Sequence, residues 1–281
     1  MIAVFNAITN IAEDIEKNVF VDCESFLERG LSDKQMKENV HEYCSKVIHR
    51  EFKKVKSVNG FIGKYKKKYT TINEGGKYKI SYVAIDNLDL LDVNFSLGSI
   101  FGIYETHMDA FHLKAAMYIT YGPTFQLVFA SKTEGVIYFS FEDGEFIEQD
   151  PLLLEKEGKI NSTAGLVSEW SDEHRKLVDS FFNKGYRLRF SDSLSLDTHQ
   201  ILFKKGGIYS SPATKSFPDG KIEVLFEAFP ISYIIEQAGG RSISKKGRIL
   251  DMTNVEIDQK TPIYFGSSKE VQVVEDFLLN S

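Results

Sequence analysis

The chain has 281 residues, 42% of them hydrophobic and 26% charged, with only 6 Pro, which is enough for one large or two ordinary domains with real cores and leaves no stretch that reads as disordered. A formal net charge of −6 argues against a general nucleic-acid binder, because phosphate neutralisation needs a basic face. Cys23 and Cys44 show neither CxxC spacing nor a histidine at zinc spacing, so a reducing cytoplasm is the natural setting. The N-terminal segment carries acids where a signal peptide needs a basic start and an apolar centre, and no apolar run is long enough to span a bilayer. The expectation is a cytoplasmic protein with no membrane and no nucleic-acid partner.

In chain order, "VFNAITNIAEDIEKNVF" and "SDKQMKENVHEYCSKVIHREFKKV" place apolar residues at spacings of three and four, which predicts two helices, the second capped by Ser32 or Asp33. After Gly60 the pattern changes to strands: "YKISYVAID", "FSLGSIFGIYE", "AAMYITYG", "FQLVFAS" and "GVIYFSFEDGEFIEQD". Near residue 155 the chain turns polar and glycine-bearing, which suggests a domain of 1–155 followed by one of 156–281. The second half alternates: a helix at "DEHRKLVDSFFNKG", a strand "YRLRF", a helix "SLDTHQILFKKGG", a strand "GIYSSPA", a strand or helix start at "KIEVLFEAFPISYIIEQAGG", and a last helix "SKEVQVVEDFLLNS". Such alternation predicts layered α/β structure, and no internal repeat is visible.

Chemistry concentrates in "IDNLDLLDVN", where Asp86, Asp89 and Asp92 follow one another at a spacing of three just after a strand. Carboxylates that close repel unless a positive charge stands between them, and an oxygen cluster suits a hard cation such as Mg²⁺. A turn after a strand explains the same residues without a metal. The "KYKKKY" run from Lys64 to Tyr69 reads as a solvated loop, His41 and His49 as surface residues, and His199 as a packing residue.

The order "DNLDLLDVN", "GSIFGIYE", "AAMYITYGP", "EGKIN" and then "GYRLRFSDSLSLDTHQILFKKGGIYSSPATKSFPDGKIEVLFEAFPISYIIEQAGG" resembles the fructose-1,6-bisphosphatase family, from about Asp33 to the C-terminal helix. The resemblance implies a two-domain layered α/β/α/β/α sugar-phosphatase fold, a homotetramer, and Mg²⁺-dependent removal of the 1-phosphate of fructose 1,6-bisphosphate in gluconeogenesis. It implies that Asp86, Asp89, the Leu88 carbonyl, Glu227 and Asp33 stand at metal-ligand positions. It also implies that Lys221 contacts substrate, that Arg189 reaches a neighbouring subunit's phosphate pocket, and that Thr163 falls at or beside a substrate-binding asparagine.

The same resemblance exposes losses. Gly63, Lys64 and Tyr65 occupy the positions of the family's "SEE", so an ammonium replaces the glutamate that bridges the metals. Asn39 replaces an aspartate assigned to water activation, and an amide is not a useful base near neutral pH. Leu90 and Leu91 stand where a Gly/Ser turn would cradle the scissile phosphate. Phe190 and Ser211 each replace a tyrosine of the remote phosphate pocket, and Asp192 replaces a glycine near the sugar. No catalytic set is intact, which points to a silent member with a scaffold or regulatory role. Such a protein would form a homo-oligomer or pair with an intact paralogue. A phosphatase with a reduced metal site and a cleft remodelled for another small ligand are the alternatives. If Asp86, Asp89, Glu227 and Asp33 converge, Lys64 is expected to replace the metal as their counter-charge.

Overall fold

The computed structural model describes residues 1–21 and 32–279; Cys23 lies outside them. The first helix, α1 (Ile2–Ile15), buries Val4, Ala7, Ile8, Ile11 and Ile15 on one face, as their spacing requires, and runs into a π-helical turn over Glu16–Val21. Of the two expected caps, Ser32 starts α2 (Asp33–Lys53): its hydroxyl accepts the Gln35 N–H while the Gln35 side chain accepts the Ser32 N–H.

The first half then builds an eight-stranded sheet. Its strands are β1 (Val58–Gly63), β2 (Thr70–Thr71), β3 (Tyr78–Asp86), β4 (Leu97–Glu105), β5 (Leu113–Tyr121), β6 (Gln126–Ser131), β7 (Gly135–Glu142) and β8 (Glu145–Pro151). They lie in the order β2-β1-β3-β4-β5-β6-β7-β8, and only the β1–β3 pair is parallel. The β-rich run over 135–150 is a hairpin of β7 and β8. Asp143 and Gly144 both take positive φ, 50° and 89°, the turn geometry that matches the twist of paired strands. Strand β8 is the outermost on its side and is largely exposed.

The second half contains β9 (Ile160–Thr163), α3 (Asp172–Asn183), β10 (Arg187–Leu188), α4 (Leu194–Phe203), β11 (Ile208–Ser211), β12 (Ile222–Glu223), α5 (Phe229–Gln237), β13 (Arg241–Ser244), β14 (Gly247–Arg248), β15 (Lys260–Thr261), β16 (Ile263–Gly266) and α6 (Ser268–Leu279). Six strands pair in the order β10-β9-β11-β16-β13-β14, and β12 pairs with β15 as a separate ribbon. Strands β9, β13 and β16 are four residues long and were not expected from sequence; β10 is shorter than "YRLRF" suggests.

Period-two alternation sorts each strand's side chains to two faces. Met117 and Ile119 of β5 pack toward α1 and α2, whereas Ala116 and Tyr118 pack toward α4 and α5. In the second sheet Tyr209 and Phe265 join that same central core, while Ile208 and Tyr264 face α3 and α6. The result is a helix, sheet, helix, sheet, helix stack. The segment around residue 155 links β8 to β9, and the halves on either side of it share the central core through Ile100, Tyr118, Phe226 and Phe229.

Candidate functional site

Because β1 and β3 run parallel, their C-terminal ends emerge side by side, and Lys64 leaves β1 as Asp86 ends β3. The Lys64 N–H donates to the Tyr82 carbonyl at 3.0 Å, which fixes where its side chain starts. The second half brings Glu227 to the same place on a π-helical turn, Val224–Ala228, between β12 and α5. Such a turn widens the helix locally, and Pro230, which has no N–H to give, sits in the first turn of α5 where none is needed.

Lys64 Nζ lies 2.6 Å from Glu227 Oε1. The other Glu227 oxygen accepts the Glu223 N–H at 2.9 Å, so this carboxylate, 3% exposed, is engaged on both sides. Burial works against the Lys64 charge, but Glu227, Asp86 and Glu223 together hold the ammonium above its ordinary value. Asp86 is buried and turns to the start of α4: its Oδ2 accepts the Ser195 N–H at 2.7 Å and the Ser193 and Ser195 hydroxyls, each at 2.9 Å. Burial and the neighbouring Glu227 push its carboxyl up, against these donors and Lys64. A helix N-terminus is a ready partner for a carboxylate.

The four expected acids do not converge. Asp33 and Asp89 lie at the surface and both bind Lys37, Asp33 at 2.7 Å, so a second ammonium, not Lys64, neutralises them. Asp92 is exposed. The physical reason is the turn after β3. Asn87 takes a left-handed conformation (φ 58°) into a single 3₁₀ turn, Leu88–Leu90, which directs Asp89 toward α2. Leu90 and Leu91 pack against the outer core, and the Leu88 carbonyl accepts the Leu91 N–H. The Lys64–Tyr69 run is a loop with Tyr65, Lys66 and Lys68 exposed, as expected, but Lys67 Nζ binds Glu223 at 3.0 Å alongside the Lys64 contact. His41 is not a free surface residue either: it stacks on Tyr65 with ring centroids 4.1 Å apart. Asn39 is exposed on α2, and His199 packs between Tyr118 and Phe203.

A cleft of about 360 Å³ opens beside Lys64 and is lined by Asn87, Asp192, Ser211, Lys221 and Lys260. Asp192 occupies its expected glycine position with a glycine-like φ of 64°, held by the Asn87 amide, which donates to its carbonyl at 2.7 Å and its carboxylate at 3.0 Å. Lys221 lies 4.4 Å over the Phe217 ring. Thr163 does not face this cleft. It is buried with its hydroxyl 3.1 Å from His174 Nε2, and Ala164 and Gly165 line the wall instead. Arg189 and Phe190 line a separate surface recess, where Arg189 approaches Gln200.

Sequence reasoning missed Lys37, Lys67, Glu223, Ser193 and Ser195. Only Lys37 carried a local signal, four residues after Asp33 on a helix.

A divalent ion does not fit this donor set. Mg²⁺ needs several oxygens around one point. Here Lys37 holds Asp33 and Asp89, Lys64 holds Glu227 and the start of α4 holds Asp86, and among the described residues no three His, Cys, Asp or Glu side chains are grouped as a metal ion requires.

The five-layer stack, with a polar cleft where β1, β3 and the Glu227 turn meet, defines a sugar-phosphatase-type α/β protein. The sequence model of the fructose-1-6-bisphosphatase C-terminal domain matches residues 154–279. The chain is 41% identical over 246 residues to a class 1 fructose-1,6-bisphosphatase of Campylobacter hominis, covering 87% of each. It is 38% identical over 279 residues to that of Campylobacter concisus, covering 98% of this chain and 96% of the relative. The crystal structure of Leishmania major fructose-1,6-bisphosphatase in holo form superposes with a TM-score of 0.87 at 27% identity, over 98% of this chain and 92% of that one. The chain belongs to the class 1 fructose-1,6-bisphosphatase family.

Proposed function

We propose that this protein is a catalytically silent fructose-1,6-bisphosphatase relative, a cytoplasmic scaffold or regulatory partner in carbohydrate metabolism whose metal site has become an ion-pair network. The observation that carries the reading is the 2.6 Å contact of Lys64 with Glu227, at the position where the family resemblance places a metal-bridging glutamate. Lys37 supports it by taking Asp33 and Asp89. Three functions fail together in this reading: metal gathering at Lys64, water activation at Asn39 and phosphate cradling at Leu90 and Leu91. Each alone costs orders of magnitude in rate. The partner is a second copy of the chain or an intact paralogue.

The test is phosphate release from fructose 1,6-bisphosphate with Mg²⁺ or Mn²⁺. Release no faster than buffer is expected, and turnover that disappears in Asp86→Asn overturns the proposal. A ligand role without turnover draws on Lys221 and Lys260, which line the cleft without a salt-bridge partner among the described residues. Melting shifts over a panel of sugar phosphates test it, with stabilisation expected from a singly phosphorylated sugar.

A further inference from the structure

A second cavity, about 400 Å³, lies between α3, α6 and the loop after β11. That volume is in the range of small-molecule sites, roughly 300–1,000 Å³. Its walls are mostly apolar: Leu177 from α3, Leu278 from α6, Met252, Pro212 and Pro262, with Tyr264. His174, 5% exposed, is part of the wall; burial pushes its imidazole down to about 4, so the ring adds no charge at neutral pH.

Charge is confined to the rim. Lys245 and Lys246 stand there on the turn between β13 and β14, and Lys260 stands on β15. Two acids, Glu173 and Asp219, share the rim. Glu173 is already engaged by a backbone N–H at the start of α3 and the Ser171 hydroxyl, and it faces Lys176 and Lys245, which together hold it low. Lys246 and Lys260 have no salt-bridge partner among the described residues. An apolar slot with uncommitted ammoniums at its rim matches a molecule that has one greasy part and one negative part.

We propose that this cavity is a binding site for a small amphipathic anion, a flat apolar body carrying a single carboxylate, sulfonate or phosphate group. The body lies against Leu177, Met252 and Leu278, and the anion meets Lys246 and Lys260. The site is separate from the cleft beside Lys64, which has Asp86, Glu223 and Glu227 in its lining and shares with it only Lys260.

8-Anilinonaphthalene-1-sulfonate, titrated into the folded full chain, is a direct probe. The expected result is saturable fluorescence enhancement at one probe per chain. Lys246 lines this cavity and not the cleft, so Lys246→Glu is expected to weaken binding about fivefold. Met252→Trp, which fills the slot, is expected to abolish it. N-phenyl-1-naphthylamine, the same rings without the sulfonate, is expected to bind less tightly than the sulfonate. Non-saturating enhancement, or affinity unchanged in both variants while their melts stay cooperative, overturns the proposal. Equal affinity for the neutral probe overturns the anion assignment.

Discussion

Two lysines in this molecule do the same chemical job in different surroundings. Lys64 meets Glu227 and neighbours Asp86, carboxylates 3% and 4% exposed, whereas Lys37 holds Asp33 and Asp89, whose side chains are 63% and 69% exposed. Water and salt screen the outer group, and its ions are solvated with or without each other. The inner carboxylates have left water, so they depend on Lys64 and on the donors from α4 and Glu223. The difference shows that an ammonium beside carboxylates matters most to the fold where the acids are buried.

The sharpest way to break this comparison is Lys64→Met. Lys64 is half-buried and its partner Glu227 is buried, so the loss, measured by denaturant unfolding, is expected to fall below the roughly 3–5 kcal/mol of a fully buried pair, and a loss under about 1 kcal/mol would make the two lysines equivalent. Next comes Lys64→Glu, which adds a carboxylate beside Glu227 and Asp86. It is expected to unfold more easily without metal and to regain about 2.7 kcal/mol in Mn²⁺ at 100 times its dissociation constant, while the parent chain shows no such gain.

Alkaline unfolding probes both groups. Each ammonium is held above the ordinary lysine value of 10.5, Lys37 up to about 12. Their contributions are therefore complete below 10.5 and are lost as pH rises through the raised values. The alkaline loss is expected to shrink in either variant; the part carried by Lys37, whose carboxylates are exposed, is screened in 1 M salt, and the part carried by Lys64 is not. The smallest effect is Lys37→Met at neutral pH, about 0–1 kcal/mol. It shrinks further in 1 M salt, where the Debye length is about 3 Å, while the Lys64→Met loss does not.

Much of the fold was legible because burial wrote it into periodicity. The α1 face, the α2 cap at Ser32 and the long central strands, whose neighbours lie close in sequence, follow from spacing alone. Strands β9, β13 and β16 were not legible: at four residues each they hold too few alternations to stand out, and their partners lie far along the chain. At the site, the Lys64–Glu227 pair was anticipated from a charge reversal at one position. The loss of Asp33 and Asp89 to Lys37 was not, because it depends on the direction of a turn that Asn87 sets through its left-handed backbone. The capture of Asp86 by Ser193 and Ser195 was hidden for a similar reason, since residues more than a hundred positions apart meet only after both sheets have formed.

The eight-stranded sheet ends at β8, a seven-residue margin whose backbone is open to the outside on one flank. Glu145, Glu148 and Asp150 crowd that margin with negative charge. Two molecules approaching along it would set carboxylate against carboxylate, so a strand that could otherwise seed filament growth is kept from recruiting its own kind.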